Sequence, residues 1–196
     1  MSLFLILLAA GDGKRLKSKT PKPFNKVNNK SLLEHSLDRF KNFPEIKKNV
    51  IVYNKKHKRY LDKLKLKNTL KIIGGKIRQE STFNALKKIK KMDCKKVLIH
   101  DSARPNPSED LINKIIYKLR KNHAVVPVIK INDATKRTKE NTIFKNIIRN
   151  SLRFAQTPQG FTFKKIYEKH LKNINTSFDD DSALFTNDEE KVVTIA

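Results

Sequence analysis

The stretch Leu3-Phe4-Leu5-Ile6-Leu7-Leu8-Ala9-Ala10-Gly11-Asp12-Gly13-Lys14-Arg15 decides the fold. Its first part, Leu3–Leu8, is an unbroken apolar run that stops at small residues and glycine, which suits a strand buried on both faces. The run is too short to span a bilayer, and it lacks the basic leader and flanks of a secretion signal. Outward from it, short apolar runs alternate with longer amphipathic ones. Ser31–Phe40 places Leu32, Leu33, Ser36, Leu37 and Phe40 at helical spacing. Val50–Tyr53 reads as a strand, Lys56–Leu66 as a helix, and Leu70–Ile73 as a strand running into Gly74-Gly75. Glu80–Lys91 reads as a helix, Lys96–His100 as a strand, Ser108–Lys121 as a helix capped by Ser108, and Ala124–Ile129 as a strand. This alternation predicts an α/β fold with a mostly parallel sheet flanked by helices. Ligands in such sheets bind beyond the carboxyl ends of the strands, so the loops after Leu8, Ile73 and Ile99 matter most. Residues 132–150 break the pattern with polar residues around Ile143-Phe144 and Ile147-Ile148, as in a projecting β-arm. The expected organisation is one domain over residues 1–196 with that excursion.

The 196 residues carry 44 Lys+Arg against 19 Asp+Glu, a formal charge of +25. Such a surface attracts polyanions without any sequence code. The excess is mostly lysine spread along the whole chain, however, and no aromatic stacking run or nucleic-acid motif accompanies it. Together with abundant Asn and Ile it reads first as the composition an AT-rich genome favours, and second as a field for phosphorylated substrates. No specific nucleic-acid partner and no membrane partner is expected. The one cysteine, Cys94, excludes an internal disulfide and a Cys-rich zinc site, and its apolar neighbourhood points to a buried small residue. A soluble protein of a reducing compartment, the cytoplasm, is expected.

In the loop after Leu8, the small residues Ala9, Ala10, Gly11 and Gly13 let backbone N–H groups approach a phosphate. Two cations follow, Lys14 and Arg15. This is neither a dinucleotide-binding fingerprint nor a P-loop. Thr20-Pro21-Lys22-Pro23 adds weight, because flanking prolines hold Lys22 in a restricted loop that a solvated lysine does not need.

Leu-Ala-Ala-Gly-x-Gly-x-Arg followed by Pro-Lys resembles the opening of sugar-nucleotide pyrophosphorylases and related nucleotidyltransferases. Three further motifs narrow the resemblance: Gly74-Gly75-x-x-Arg78-x-x-Ser81, His100-Asp101-Ser102-Ala103-Arg104-Pro105, and Thr157-Pro158-Gln159. In this order they resemble the 2-C-methyl-D-erythritol 4-phosphate cytidylyltransferase family of non-mevalonate isoprenoid biosynthesis, from residue 3 to about 186. The resemblance implies a Rossmann-like nucleotidyltransferase fold acting as a homodimer on CTP and a sugar-alcohol phosphate. It implies that Arg15 and Lys22 stabilise the transition state at the α-phosphate. It further implies that Ala9, Ala10, Gly11, Gly13, Gly75, Arg78 and Ser81 hold the nucleotide, Gly75 and Ser81 near cytosine. Asp101 and Arg104 would face the acceptor. Asp133, Thr135, Lys136 and Arg149 fall in the family's dimerisation arm. From there Arg149 would reach a neighbouring subunit's substrate phosphate, with Thr157 assisting. Mg²⁺ would bridge the CTP phosphates without a dedicated protein cage.

Other residues have structural readings. His100 is expected to be a strand-end residue rather than a base, and His35 to pack a helix. Asp101 could instead pair with Arg104. Asp179-Asp180-Asp181 reads as a cap rather than a metal cluster. Phe178 stands where the family has a threonine that contacts the substrate phosphate. The sequence ends at Ala196, before the family's Asn-x-Lys-x-Thr segment, its closing helix and, in some relatives, a fused cyclase domain. Two alternatives stay open on sequence alone: ribitol 5-phosphate as acceptor, and an inactive homologue that only binds CTP.

Overall fold

The structure, a computed structural model, describes residues 2–11, 13, 18–174, 176, 178–185 and 191–196. Its elements in chain order are β1 (Leu3–Ala9), β2 (Lys26–Val27), β3 (Lys30–Ser31), α1 (Leu32–Phe40), β4 (Ile46–Tyr53), α2 (Lys58–Leu61), β5 (Thr69–Ile73), α3 (Arg78–Ile89) and β6 (Lys96–Asp101). They continue with α4 (Glu109–Leu119), β7 (Ala124–Lys130), β8 (Thr135–Lys139), β9 (Thr142–Ile147), β10 (Arg153–Ala155), β11 (Gln159–Thr162), α5 (Phe163–Lys172) and β12 (Val192–Ile195).

The main sheet runs β10-β7-β11-β6-β1-β4-β5, with β12 paired to β7. β1 lies parallel between β4 and β6, and β5 lies parallel beyond β4. β11 is antiparallel to both β6 and β7, so the sheet is mixed, with every pairing parallel from β5 through β4 and β1 to β6. The alternation along β1 explains its central position. Leu3, Leu5, Leu7 and Ala9 enter one core with Leu33 and Phe40 of α1 and Ile112, Ile115 and Leu119 of α4. Phe4 and Ile6 enter the other with Ala85, Leu86 and Ile89 of α3 and Ile166 of α5. Each buried Leu, Ile or Phe among them contributes roughly 1.5–3 kcal/mol by leaving water. Only an interior strand with helices on both faces recovers that from every residue.

The helix ends follow local chemistry. Ser31 and Glu34 form a reciprocal capping box on α1, and Ser108 caps α4 by accepting from the Leu111 N–H, as expected. The segment 56–66 does not form the expected helix: a turn over Lys55–His57 leads into α2, which ends at Leu61. Leu61, Leu64 and Leu66 all pack on the core, and the two-residue step from Leu64 to Leu66 fits extended chain, not one helical face. The dense lysines there also repel one another at helical spacing. The arm is a hairpin of β8 and β9, turned at Glu140 and Asn141, which both adopt positive φ.

Leu5 is fully buried in the first core, so Leu5→Ala should cost about 2–5 kcal/mol in urea unfolding. A loss under 1 kcal/mol would contradict the central placement of β1.

Candidate active site

The carboxyl ends of β1, β5 and β6 open on a cavity of about 360 Å³ lined by Ala10, Gly11, Gly13, Lys22, Gly75, Arg78, Ser81, Asp101 and Arg104, among others. Most of the residues singled out for the nucleotide and the acceptor polyol therefore share one hollow. Ala9 is fully buried at the end of β1, just below it. Arg15 lies outside the described residues.

Lys22 is exposed between buried Pro21 and Pro23. The turn Lys22–Phe24 closes through Phe24 N–H donating to Pro21 O at 2.8 Å, and the Phe24 ring stacks on Tyr60 at 5.5 Å. Burial on both sides thus fixes the lysine backbone and leaves its ammonium to the cavity. Gly13 has φ +63°, and a Cβ there would meet Lys22 Cβ at 2.8 Å, so the glycine loop lies directly against the lysine turn.

On the opposite wall the chain turns through Gly74-Gly75 into α3. A Cβ on Gly74 would lie 2.7 Å from that of Ala10, and one on Gly75 2.2 Å from Glu80 Cβ. Ser81 Oγ accepts from Gly75 N–H at 3.1 Å and donates to Ile77 O at 3.0 Å, and Glu80 accepts from Lys76 N–H at 2.7 Å. Ser81 thus shapes the glycine turn and keeps one lone pair to offer.

On the third wall, Asp101 meets two guanidiniums: Arg104 Nε at 3.1 Å and Arg78 Nε at 3.6 Å. The pairing of Asp101 with Arg104 and its exposure on the cavity wall coexist. Arg104 also donates to Gln156 Oε1. Behind this wall His100 is fully buried. Its Nε2 sits 2.9 Å from Arg104 O, which can only accept, so the proton is on Nε2. Nδ1 then accepts from Thr157 Oγ at 2.9 Å, while Thr157 Oγ accepts from Asp101 N–H at 3.4 Å. His100 is structural, as the sequence indicates. Thr157 does not line the cavity, and its one hydroxyl proton is engaged. Ser102 Oγ ties the same loop back to Leu8 O at 2.7 Å.

Thr135, Lys136 and Arg149 are not brought to this cavity. They line a shallow hollow on the arm, where Lys136 pairs with Asn146 and Arg149 donates to Asn132 O. Arg149 also joins Lys130 and Arg153 around a second hollow at the arm's base.

Among the acidic trio, Asp180 is the expected cap, its Oδ1 accepting from the Ser182 and Ala183 N–H groups. Asp181 corrects that reading: it is 1% exposed and pairs with Arg78 Nη1 at 2.6 Å and His170 Nε2 at 3.0 Å. Phe178 packs against the second core, its N–H donating to Gln79 Oε1 at 3.2 Å. Gln79, His170 and Asp181 carried no local signal in the sequence, since their partners lie up to 103 residues away. Cys94 is buried, and burial pushes its thiol up to about 12, which leaves it inert. His35 bonds Val27 O at 2.8 Å, joining α1 to the β2–β3 hairpin.

The family model of 2-C-methyl-D-erythritol 4-phosphate cytidylyltransferase (IspD) matches residues 3–194. A bifunctional enzyme IspD/IspF of Pelagibacter ubique is 43% identical over all of this chain, which spans 52%, about half, of that relative. A 2-C-methyl-D-erythritol 4-phosphate cytidylyltransferase of Petrotoga mobilis is 34% identical over 93% of the chain and 84% of its own length. Among solved structures, the 4-diphosphocytidyl-2C-methyl-D-erythritol synthase of Anaerococcus prevotii superposes with a TM-score of 0.83 at 31% identity, covering 98% of this chain and 87% of that one.

Burial holds His100 neutral, its pKa pushed from 6.5 down to about 4. Between these values the unfolded chain binds the extra proton and the folded chain does not, so stability falls as the pH drops through that window. The contribution is about 3 kcal/mol. Urea unfolding from pH 7 to 4 should show the native chain losing about that much more than His100→Asn. Equal acid sensitivity of the two would contradict the assignment.

Proposed function

This chain belongs to the 2-C-methyl-D-erythritol 4-phosphate cytidylyltransferase family, and we propose that it transfers a cytidylyl group from CTP to 2-C-methyl-D-erythritol 4-phosphate. A phosphate oxygen of the acceptor attacks the CTP α-phosphorus, the bond to the bridging oxygen breaks, and diphosphate leaves. The acceptor phosphate is already an anion and needs no base. The requirement is positioning and charge stabilisation.

The observation that carries the reading is the single cavity in which a pinned lysine, two glycine turns and an Asp101–Arg pair converge. Backbone N–H groups at Ala10, Gly11 and Gly13 suit a triphosphate. Lys22, with Arg15, stabilises charge building on the equatorial oxygens. Gly75 and Ser81 offer a narrow slot and a lone pair for a base. Asp101 accepts from acceptor hydroxyls, and Arg104 orients it. Relatives named for methylerythritol phosphate favour that acceptor over ribitol 5-phosphate.

Among the described residues that line the cavity, one is a carboxylate, Asp101, already facing two guanidiniums. Among the described residues no cluster of three or more metal-binding side chains exists. This donor set fits an ion carried on the triphosphate: Mg²⁺ would neutralise phosphate charge there, and Asp101 is a carboxylate on the wall that could help hold it.

The arm exposes Ile143, Phe144 and Ile148 by more than half. Exposed apolar residues near the turn and at the base of a polar hairpin suit a second copy of the chain, and a homodimer would carry Arg149 to the partner's acceptor phosphate. The enzyme is expected to work in the cytoplasm. Among the described residues no helix is long and apolar enough to cross a membrane.

Diphosphate release from CTP and Mg²⁺ should require methylerythritol 4-phosphate, and ribitol 5-phosphate should not replace it. Lys22→Ala should lower kcat by roughly 10²–10³, the cost of one transition-state donor. Near-normal turnover in that variant would remove Lys22 from the mechanism. Arg149→Ala should raise KM for the acceptor while leaving CTP affinity unchanged, and equal losses in both would remove it from the acceptor site.

A further inference from the structure

Arg78 begins α3 and lines the cavity, but its guanidinium is held from behind. Nη1 donates to Asp181 Oδ2 at 2.6 Å, Nε faces Asp101 at 3.6 Å, and Nη2 is buried with no partner. Asp181 in turn accepts from His170 Nε2 at 3.0 Å, and both side chains are almost wholly removed from water. His170 is itself clamped by a parallel stack on Phe83 of α3, with centroids 5.8 Å apart and planes 4° apart. Gln79 adds a second bolt, donating to Asn173 O at 2.7 Å and accepting from Phe178 N–H. Burial alone raises the Asp181 carboxyl, but Arg78 and His170 together hold it below the ordinary carboxylate range.

A buried ion pair of this kind contributes little net stability, because both charges lose their water. Its consequence is geometric. Arg78 faces carboxylates on two sides, and without Asp181 the guanidinium is free to collapse onto Asp101. We infer that Asp181, clamped by His170, is a positioning residue that fixes the Arg78 guanidinium at the cavity wall for CTP. The inference rests on the cytidylyltransferase reading of the cavity and extends it to the loop after α5. The 103-residue separation of Arg78 and Asp181 makes the last third of the chain part of the nucleotide site.

A double-mutant cycle read by calorimetric CTP binding with Mg²⁺ tests it. Asp181→Asn should weaken CTP binding by about 10- to 100-fold, as loss of an outer partner of a liganding group does. In an Arg78→Met background the same substitution should change CTP affinity by less than about twofold. The same fold loss in both backgrounds would mean that Asp181 acts on the fold rather than through Arg78, and would overturn the inference. CTP bound normally by Asp181→Asn would overturn it while leaving the enzyme reading intact. No CTP binding by the unaltered chain would overturn both. Should Asp181→Asn fail to fold, His170→Gln runs the same cycle, with the same criterion in the Arg78→Met background.

Discussion

β1 carries apolar side chains on both faces from Leu3 to Leu7, and everything else is arranged around the need to cover both. Helices must lie on each side, neighbouring strands must run parallel to it, and the chain must cross over between them. The carboxyl ends of β1, β5 and β6 then open on the same edge. The loops that follow carry the small residues, the cations and Asp101. The cavity is therefore a consequence of burying one strand, and the chemistry is confined to what those loops can present.

Two buried polar assemblies hold the loops in place. One joins His100, Thr157, Arg104 O and the Asp101 N–H, with each proton assigned by what its neighbour can accept. The other joins His170, Asp181 and Arg78. They reach Asp101 from opposite sides, through its backbone and through Arg78. Inside a low-dielectric core the paired atoms make such networks supports for a site, and in the second one Arg78 Nη2 and His170 Nδ1 lack a hydrogen-bond partner among the described residues, which makes it a sensitive point for substitution.

The elements that bury apolar residues at a regular period are legible in the sequence: β1, α1, β5, β6 and α4 lie where the pattern places them, and the arm lies where the pattern breaks. The 56–66 segment departs from the expected helix because Leu61, Leu64 and Leu66 reach the core from a turn and extended chain, and the two-residue step from Leu64 to Leu66 is the one local sign of it. Beyond residue 150 the spacing of Phe163, Ile166, Tyr167 and His170 marks α5. The motif residues of the cavity were legible as a set, because short-range turns bring Gly13 to Lys22 and Gly75 to Ser81. Asp181 was not. A carboxylate in an acidic turn looks the same in sequence whether it is solvated or buried against an arginine a hundred residues earlier.

The central claim is that nucleotide and acceptor meet in the cavity between Lys22, Ser81 and Asp101. The most direct measurement is a crystal structure of the chain grown with CTP and Mg²⁺. The account predicts the triphosphate against the 10–13 loop and Lys22, with cytosine beside Gly75 and Ser81. CTP bound instead in the basic hollow of Lys130, Arg149 and Arg153, with the cavity unfilled, would contradict it.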